Sequence, residues 1–233
     1  MYYPDFKGYL AGEKARLDAR QKIDFPNSGV ILKVLAHLPH RTKEKDRTTY
    51  SLTEGANKIQ IDNVGVVGDR HYELSRRSTG RESEYPRGTE IAGGRHIFAV
   101  SPYDCQVLTD KLGVEVTPEL LGANLVIGRE DGGELHLSEL PIATRLFIAD
   151  SNATELPKPP IATLVNYVQQ QGCAVTGNAI AEHYRRKELS SSFIQHSKEN
   201  RGIVCNVEYP VLTRATLQAG QKVFFRFHRG VTV

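Results

Sequence analysis

Short β-rich apolar runs, each bounded by turn residues, set the tightest limit on what this chain can fold into. They are "VILKVLAHL" from Val30, "KIQID" from Lys58, "HIFAV" from His96, "TRLFIAD" from Thr144, "RGIVCNVEYP" from Arg201 and "QKVFFRFH" from Gln221. Runs of this length and composition are strands. In "KIQID" the alternation puts Ile59 and Ile61 on one face. "GELHLSEL" and the residues after "LLGAN" read as further strands, and Gly220 supplies the tight turn before the last one. Few helices separate these runs. The pattern fits a mainly β fold with peripheral α-helices, a barrel rather than a regular βαβ sheet.

The helical segments carry end signals. Asp5 to Lys22 is amphipathic despite Gly8 and Gly12. Ser101-Pro102-Tyr103-Asp104 starts a helix, with Ser at the N-cap, Pro at N1 and an acid at N3. Cys105, Leu108 and Leu112 share its apolar face. Thr117-Pro118 starts a second. Ile161, Leu164, Val165 and Val168 have helical spacing, which predicts a helix ending near Gly172. Two more are expected over residues 178–186 and 190–199.

With 233 residues, one large domain is the simplest division. Residues 1–27 form an N-terminal helical extension and residues 28–233 the β domain. No apolar run is long enough to span a membrane, and the N-terminus lacks a signal-peptide core. The expected location is cytoplasmic. The three cysteines, Cys105, Cys173 and Cys205, are too scattered for a disulfide framework or zinc site. No metal site is expected from the histidines either. A net charge of +3 does not by itself call for nucleic acid.

Charge is nevertheless concentrated. "GVVGDRHYELSRRSTGRESEYPRGTE", residues 65–90, gathers Arg70, His71, Arg76, Arg77, Arg81 and Arg87 in what reads as one long ordered loop. Gly68 permits a sharp turn, and Asp69 can bind the backbone N–H groups that follow. Arg70 and His71 are thereby aimed outward, and an Arg fork suits phosphate or carboxylate oxygens. The competing reading pairs these arginines with Glu73, Glu82, Glu84 and Glu90 on a solvated surface.

"GVVGDRH", "RGTEIAGGRHIFAVS", "LLGANLVIG", "RGIVCNVEYP" and "LQAGQKV" follow one another in this order. Together they resemble the MOSC family, named for the C-terminal domain of molybdenum cofactor sulfurase, over roughly residues 28–228. The stand-alone bacterial members are the nearest kind. The resemblance implies a closed β-barrel, similar to the pyruvate-kinase β-barrel. It implies a positively charged pocket for molybdenum cofactor (molybdopterin) or a related phosphorylated ligand. It also carries associations with molybdenum ion binding, pyridoxal phosphate binding and sulfur metabolism. Carried over residue by residue, the binding set is Asp69, Arg70, His71, Arg87, Thr89, Arg95, Asn124, Lys158 and Arg201. The implied partners are a small anionic ligand and a cysteine desulfurase or molybdoenzyme, with no membrane. A nucleic-acid or nucleotide binder would interleave aromatics, and only Tyr72 and Tyr85 are available.

The chain departs from the family at one chemical point. A Cys after Pro is expected in "NATELPKPPIATL", where Lys158 follows Pro157 and Ile161 follows Pro160. Neither can carry sulfur. Enzymatic activity is therefore left open, and the alternative is a binding module that has lost its sulfur carrier. Cys173 follows a dozen residues later, behind the predicted helix, and Cys205 lies inside a strand as a structural thiol. On this reading neither replaces the missing one.

Overall fold

The computed structural model describes residues 26–37, 52–78, 85–93, 96–169, 172–198 and 200–227. The expected N-terminal helix, Arg81 and Arg95 lie outside them.

Thirteen strands are described. They are β1 (Ser28–His37), β2 (Thr53–Ala56), β3 (Lys58–Asp62), β4 (Gly65–Val66), β5 (Ser75–Arg77), β6 (Glu90–Ala92), β7 (Ile97–Val100), β8 (Leu125–Gly128), β9 (Arg145–Ala149), β10 (Ala162–Gln169), β11 (Ile203–Tyr209), β12 (Ala215–Gln218) and β13 (Lys222–Arg226). Seven close into a barrel in the order β1-β8-β7-β11-β10-β9-β13, with β13 returning to β1 through Ser28↔Phe224 and Val30↔Lys222. Every neighbouring pair is antiparallel except β7–β8. Closure leaves the barrel no free edge among these strands. β3, β4 and β12 form a smaller sheet whose Ile59, Ile61, Val66 and Leu217 join the barrel core.

Among the described residues four α-helices pack outside: α1 (Pro102–Leu112), the single turn α2 (Pro118–Leu121), α3 (Ala174–His183) and α4 (Glu188–His196). Alternation along the strands explains how both sides are served. On β7, Ile97 and Ala99 face the barrel core while Phe98 and Val100 face the helices. On β11, Ile203, Cys205 and Val207 face in and Val204 faces out. Ile97 to Val100 is apolar throughout because this wall is covered on both faces.

The α1 start is as its sequence predicts. Ser101 accepts from the Asp104 N–H and Asp104 accepts from the Ser101 N–H, a closed capping box. Cys105, Leu108 and Leu112 are buried on its inner face.

Three expectations are corrected. The predicted helix through Ile161 and Val168 is instead strand β10, held by β9 on one side and β11 on the other. Its apolar spacing matches a helix only by coincidence; Ala162, Leu164 and Asn166 alternate into the interior. "GELHLSEL" forms no strand but a 3-10 turn at Leu137–Glu139. Its leucines are buried, yet the Leu140 and Glu139 N–H groups bond locally, to Leu137 O and His136 O, and the Ser138 N–H donates to Asp104 Oδ1 at 3.2 Å. Residues 65–90 are not one long loop. β5 pairs with β6 as a two-stranded ribbon, Ser75↔Ala92 through Arg77↔Glu90. β12 adds a strand that the sequence reading did not separate.

Candidate functional site

Gly68 takes φ +81°, a conformation that strains any side-chain-bearing residue, and turns the chain sharply after β4. Asp69 follows and is nearly buried. Its Oδ1 accepts from the His71 N–H at 2.8 Å and contacts His71 Nδ1 at 3.0 Å. Its Oδ2 accepts from Asn124 Nδ2 at 3.0 Å. Asn124 is buried in the turn between α2 and β8. Its Oδ1 accepts from the Phe98 N–H at 3.0 Å, and its own N–H bonds to Phe98 O at 2.7 Å. One carboxylate thus ties the cationic turn to the outer barrel wall, across 55 residues of sequence.

Arg201 reaches the same wall from the turn before β11 and is fully buried. Its guanidinium lies between the Phe98 and Phe193 rings, 5.3 and 5.4 Å from their centroids. Nη2 donates to Thr176 Oγ1 at 2.6 Å and to Leu121 O at 3.2 Å, while Nη1 lies 3.7 Å from Cys173 Sγ. Burial pushes the Arg201 pKa down; Cys173 opposes that shift and the positive charge of Arg70 adds to it. The backbone behind Arg201 is locked. The Gly202 N–H donates to Ser138 Oγ, and Ser138 Oγ donates to the buried Asp104 Oδ1, both at 2.6 Å. The acid that caps α1 therefore also anchors the Arg201 turn.

Cys173 is the residue that sequence reasoning set aside. It stands at the N-cap of α3, directly after β10, partly accessible, with its Sγ 3.5 Å from Thr176 Oγ1. Burial alone would raise this thiol. Arg201 and hydrogen bonding from Thr176 overcome it and lower the pKa to about 7. Cys105 and Cys205 behave oppositely: both are buried, and burial pushes each up to about 12. The usable signal was the Gly172-Cys173 step into a helix, hidden by reading β10 as helix.

The structure brings together Asp69, Arg70, His71, Asn124 and Arg201. Of the others, Arg95 lies outside the described residues. Arg87 is exposed in the turn of the β5–β6 ribbon, where Thr89 Oγ1 donates to Pro86 O at 2.7 Å. Arg77 of that ribbon donates to Gly88 O at 3.0 Å. Lys158 is exposed in the β9–β10 loop. β10 pairs with β11 as Thr163↔Tyr209 and Gln169↔Ile203, so the eight residues of β10, roughly 25 Å, separate Lys158 from the Arg201 end. Among the described residues no group of three His, Cys, Asp or Glu is placed to hold a metal ion. No helix among them is long and apolar enough to cross a membrane.

The ionisation of Cys173 has a measurable consequence. Its folded pKa lies below its ordinary value near 9, so the thiolate stabilises the fold above that value, and this contribution is lost as pH falls through about 7. Wild type should gain on the order of 2 kcal/mol over Cys173→Ser between pH 6 and pH 9.5, read from urea unfolding. Parallel pH profiles for the two proteins would show that the thiol does not ionise there.

The chain is similar to known proteins in sequence and in fold. Over 161 residues, 68% of this chain and 77% of the relative, the sequence is 32% identical to YuaD of Bacillus subtilis (strain 168), a protein provisionally named for metal-sulfur cluster biosynthesis. The crystal structure of the Bacillus subtilis YUAD protein superposes with a TM-score of 0.69 at 26% identity, covering 87% of this chain and 97% of that one. YiiM from Geobacillus stearothermophilus shares the fold, with a TM-score of 0.51 at 11% identity over 88% of this chain and 77% of that one. No family model matches the chain.

Proposed function

The chain belongs to the family of YuaD, and from that membership we propose that it is a MOSC-type protein of metal–sulfur metabolism. Its ligand is molybdenum cofactor or a related phosphorylated anion, bound on the Arg70–His71 side of the Asp69–Asn124 link. One observation carries this reading: Asp69 accepts from the His71 N–H at 2.8 Å and from Asn124 Nδ2 at 3.0 Å, which fixes the Arg70–His71 turn against the wall in which Arg201 is buried. Two like charges gathered beside one wall repel, and an anion bound against them relieves the repulsion. Arg201 is fully buried, so it supports the field from behind; Arg70 and His71 are the partly accessible donors.

The donor set fits the phosphate of the cofactor, since a guanidinium and an imidazole form charge-assisted bonds to phosphate oxygens. Arg70 and His71 would hold it, with Asp69 fixing the imidazole. The bound cofactor would supply oxidation–reduction chemistry at molybdenum. Thr89 and Arg87 belong to a separate ribbon and Lys158 to the far end of β10, so none of the three is included. A nucleic-acid reading gains little support, because Tyr72 and Tyr85 are the two aromatics in this segment and a stacking surface needs aromatics interleaved with its cations.

The test is purification from a host that makes molybdenum cofactor, followed by oxidative release and fluorescence of bound pterin. Wild type should carry it. Arg70→Ala should lower occupancy by one to two orders of magnitude in affinity, about 1.5–3 kcal/mol for a charged hydrogen bond. Wild type with neither pterin nor phosphate, or an Arg70→Ala variant with undiminished occupancy, would overturn the reading.

A further inference from the structure

We propose that the cleft between the first turn of α1 and the loop after β8 is a second ligand site, for a small organic cation with an apolar body, an alkyl or aryl ammonium or a guanidinium. This goes beyond the anion reading and does not depend on it. The cleft holds about 300 Å³ and opens to solvent. That is the low end of the range for small-molecule sites. Its walls include Leu32, Pro102, Tyr103, Arg129, Glu134 and Leu135. Asn124, which holds the Arg70–His71 turn through Asp69, precedes β8, and Gly128 ends it. Four strand residues, roughly 13 Å, separate the two places.

A strand irregularity builds the apolar wall. The register of β1 on β8 shifts between Ile31 and Lys33. Ile31 stays fully buried in the barrel, while Leu32 is turned outward and 42% exposed. Leu32 lies across Gly128, where an added Cβ would meet Leu32 Cδ1 at 2.6 Å. Pro102 and Tyr103 follow the Ser101 cap, and the capping box with Asp104 fixes where they begin. The Tyr103 ring packs on the His136 imidazole, with centroids 4.1 Å apart. Gly132 and Gly133 line the cleft without side chains.

Charge selects the sign of the ligand. Glu134 lines the cleft with a largely exposed side chain. Its Oε2 lies 3.5 Å from His136 Nε2, and Glu139 Oε1 lies 3.6 Å from His136 Nδ1. Arg129 lines the cleft as well, but Asp131 accepts from its Nε at 2.9 Å and from its Nη2 at 2.7 Å, which matches that charge within the protein. The Tyr103 hydroxyl reports the field that results. Its pKa is raised first by burial and then by Glu134, Glu139 and Asp104, all carboxylates. This field repels a phosphate. An ammonium or guanidinium ion pairs with Glu134 and lies against the Tyr103 ring. Its hydrocarbon part leaves water against Leu32 and Pro102. Three kinds of contact thus meet in one concavity: an aromatic ring, an apolar wall and a carboxylate.

The test is calorimetric titration of the full-length protein at neutral pH with three probes of similar shape: 2-phenylethylammonium, uncharged 2-phenylethanol and anionic 3-phenylpropionate. The ammonium should bind at one site with a Kd below about 1 mM, about tenfold or more tighter than the alcohol. The carboxylate should not displace it. Glu134→Gln changes an exposed side chain and should weaken the ammonium about five- to tenfold, as should Tyr103→Leu. Tyr103→Phe keeps the ring and should retain most of the affinity. Urea unfolding checks that each variant is folded. Inorganic phosphate, the probe for the Arg70–His71 turn, should leave the ammonium affinity unchanged. A Kd above about 1 mM, equal affinity for ammonium and alcohol, undiminished binding in Glu134→Gln or folded Tyr103→Leu, or competition by phosphate would overturn the proposal.

Discussion

Arg201→Ala should lower the unfolding free energy by about 3–5 kcal/mol, the largest loss expected from any single side-chain truncation at the site. Two effects add. The truncation leaves a void between Phe98 and Phe193, which the guanidinium fills. It also strands Leu121 O and Thr176 Oγ1 in a buried setting, each losing a donor at 3.2 and 2.6 Å. Arg201→Met separates the two, because it restores most of the volume without the donors. It should recover about half of the loss. Urea unfolding of the three proteins at one pH is sufficient. A loss below about 1 kcal/mol for Arg201→Ala would show that the buried cation is not integral to this wall. The substitution also removes the counter-charge of Cys173, so its alkylation at neutral pH should slow.

Gly202→Ala should be comparably severe, for a backbone reason. Gly202 has φ +76°, and an added Cβ would lie 2.2 Å from Ala99 O and 2.9 Å from Val100 Cγ1. Those atoms belong to β7, which pairs with β11 from Ile203↔Ala99 onward. The strand cannot yield without breaking its register. The Gly202 N–H would also be drawn off Ser138 Oγ. More than about 3 kcal/mol is expected from the clash, the lost bond and the positive φ together. Gly113→Ala is the control: Gly113 also has positive φ, +63°, but nothing lies within 4 Å of its added Cβ. It should cost only about 1 kcal/mol. Equal losses at the two glycines would mean that the close approach of β7 and β11 is not limiting.

Features written in a few adjacent residues were legible without a structure. The Ser101–Asp104 capping box, the Thr117 cap, the Gly68 turn and the Asp69 bond to the His71 N–H all depend on partners within three residues. So did the burial of Cys105 with Leu108 and Leu112 on one helix face. Alternation in "KIQID" and continuous apolarity from Ile97 to Val100 marked strands, because burial on one face or on both leaves a direct trace in side-chain type.

What the sequence by itself determined, then, is a mainly β chain, its helix starts, its sharp turns and a basic segment opening at Gly68. Tertiary structure alone decided which of those cations share a place. β10 shows the reason: Ile161, Leu164, Val165 and Val168 satisfy a helical period, and only pairing with β9 and β11 makes the segment a strand. That pairing then carries Cys173 to Arg201, 28 residues away in sequence, and carries Lys158 to the opposite end. The closure of β13 onto β1 and the bond from Asn124 to Asp69 are set in the same way. Strand register and barrel closure join residues by contacts that no local pattern encodes. The chemistry of Cys173 depends on a counter-charge that the fold delivers and its sequence neighbours do not.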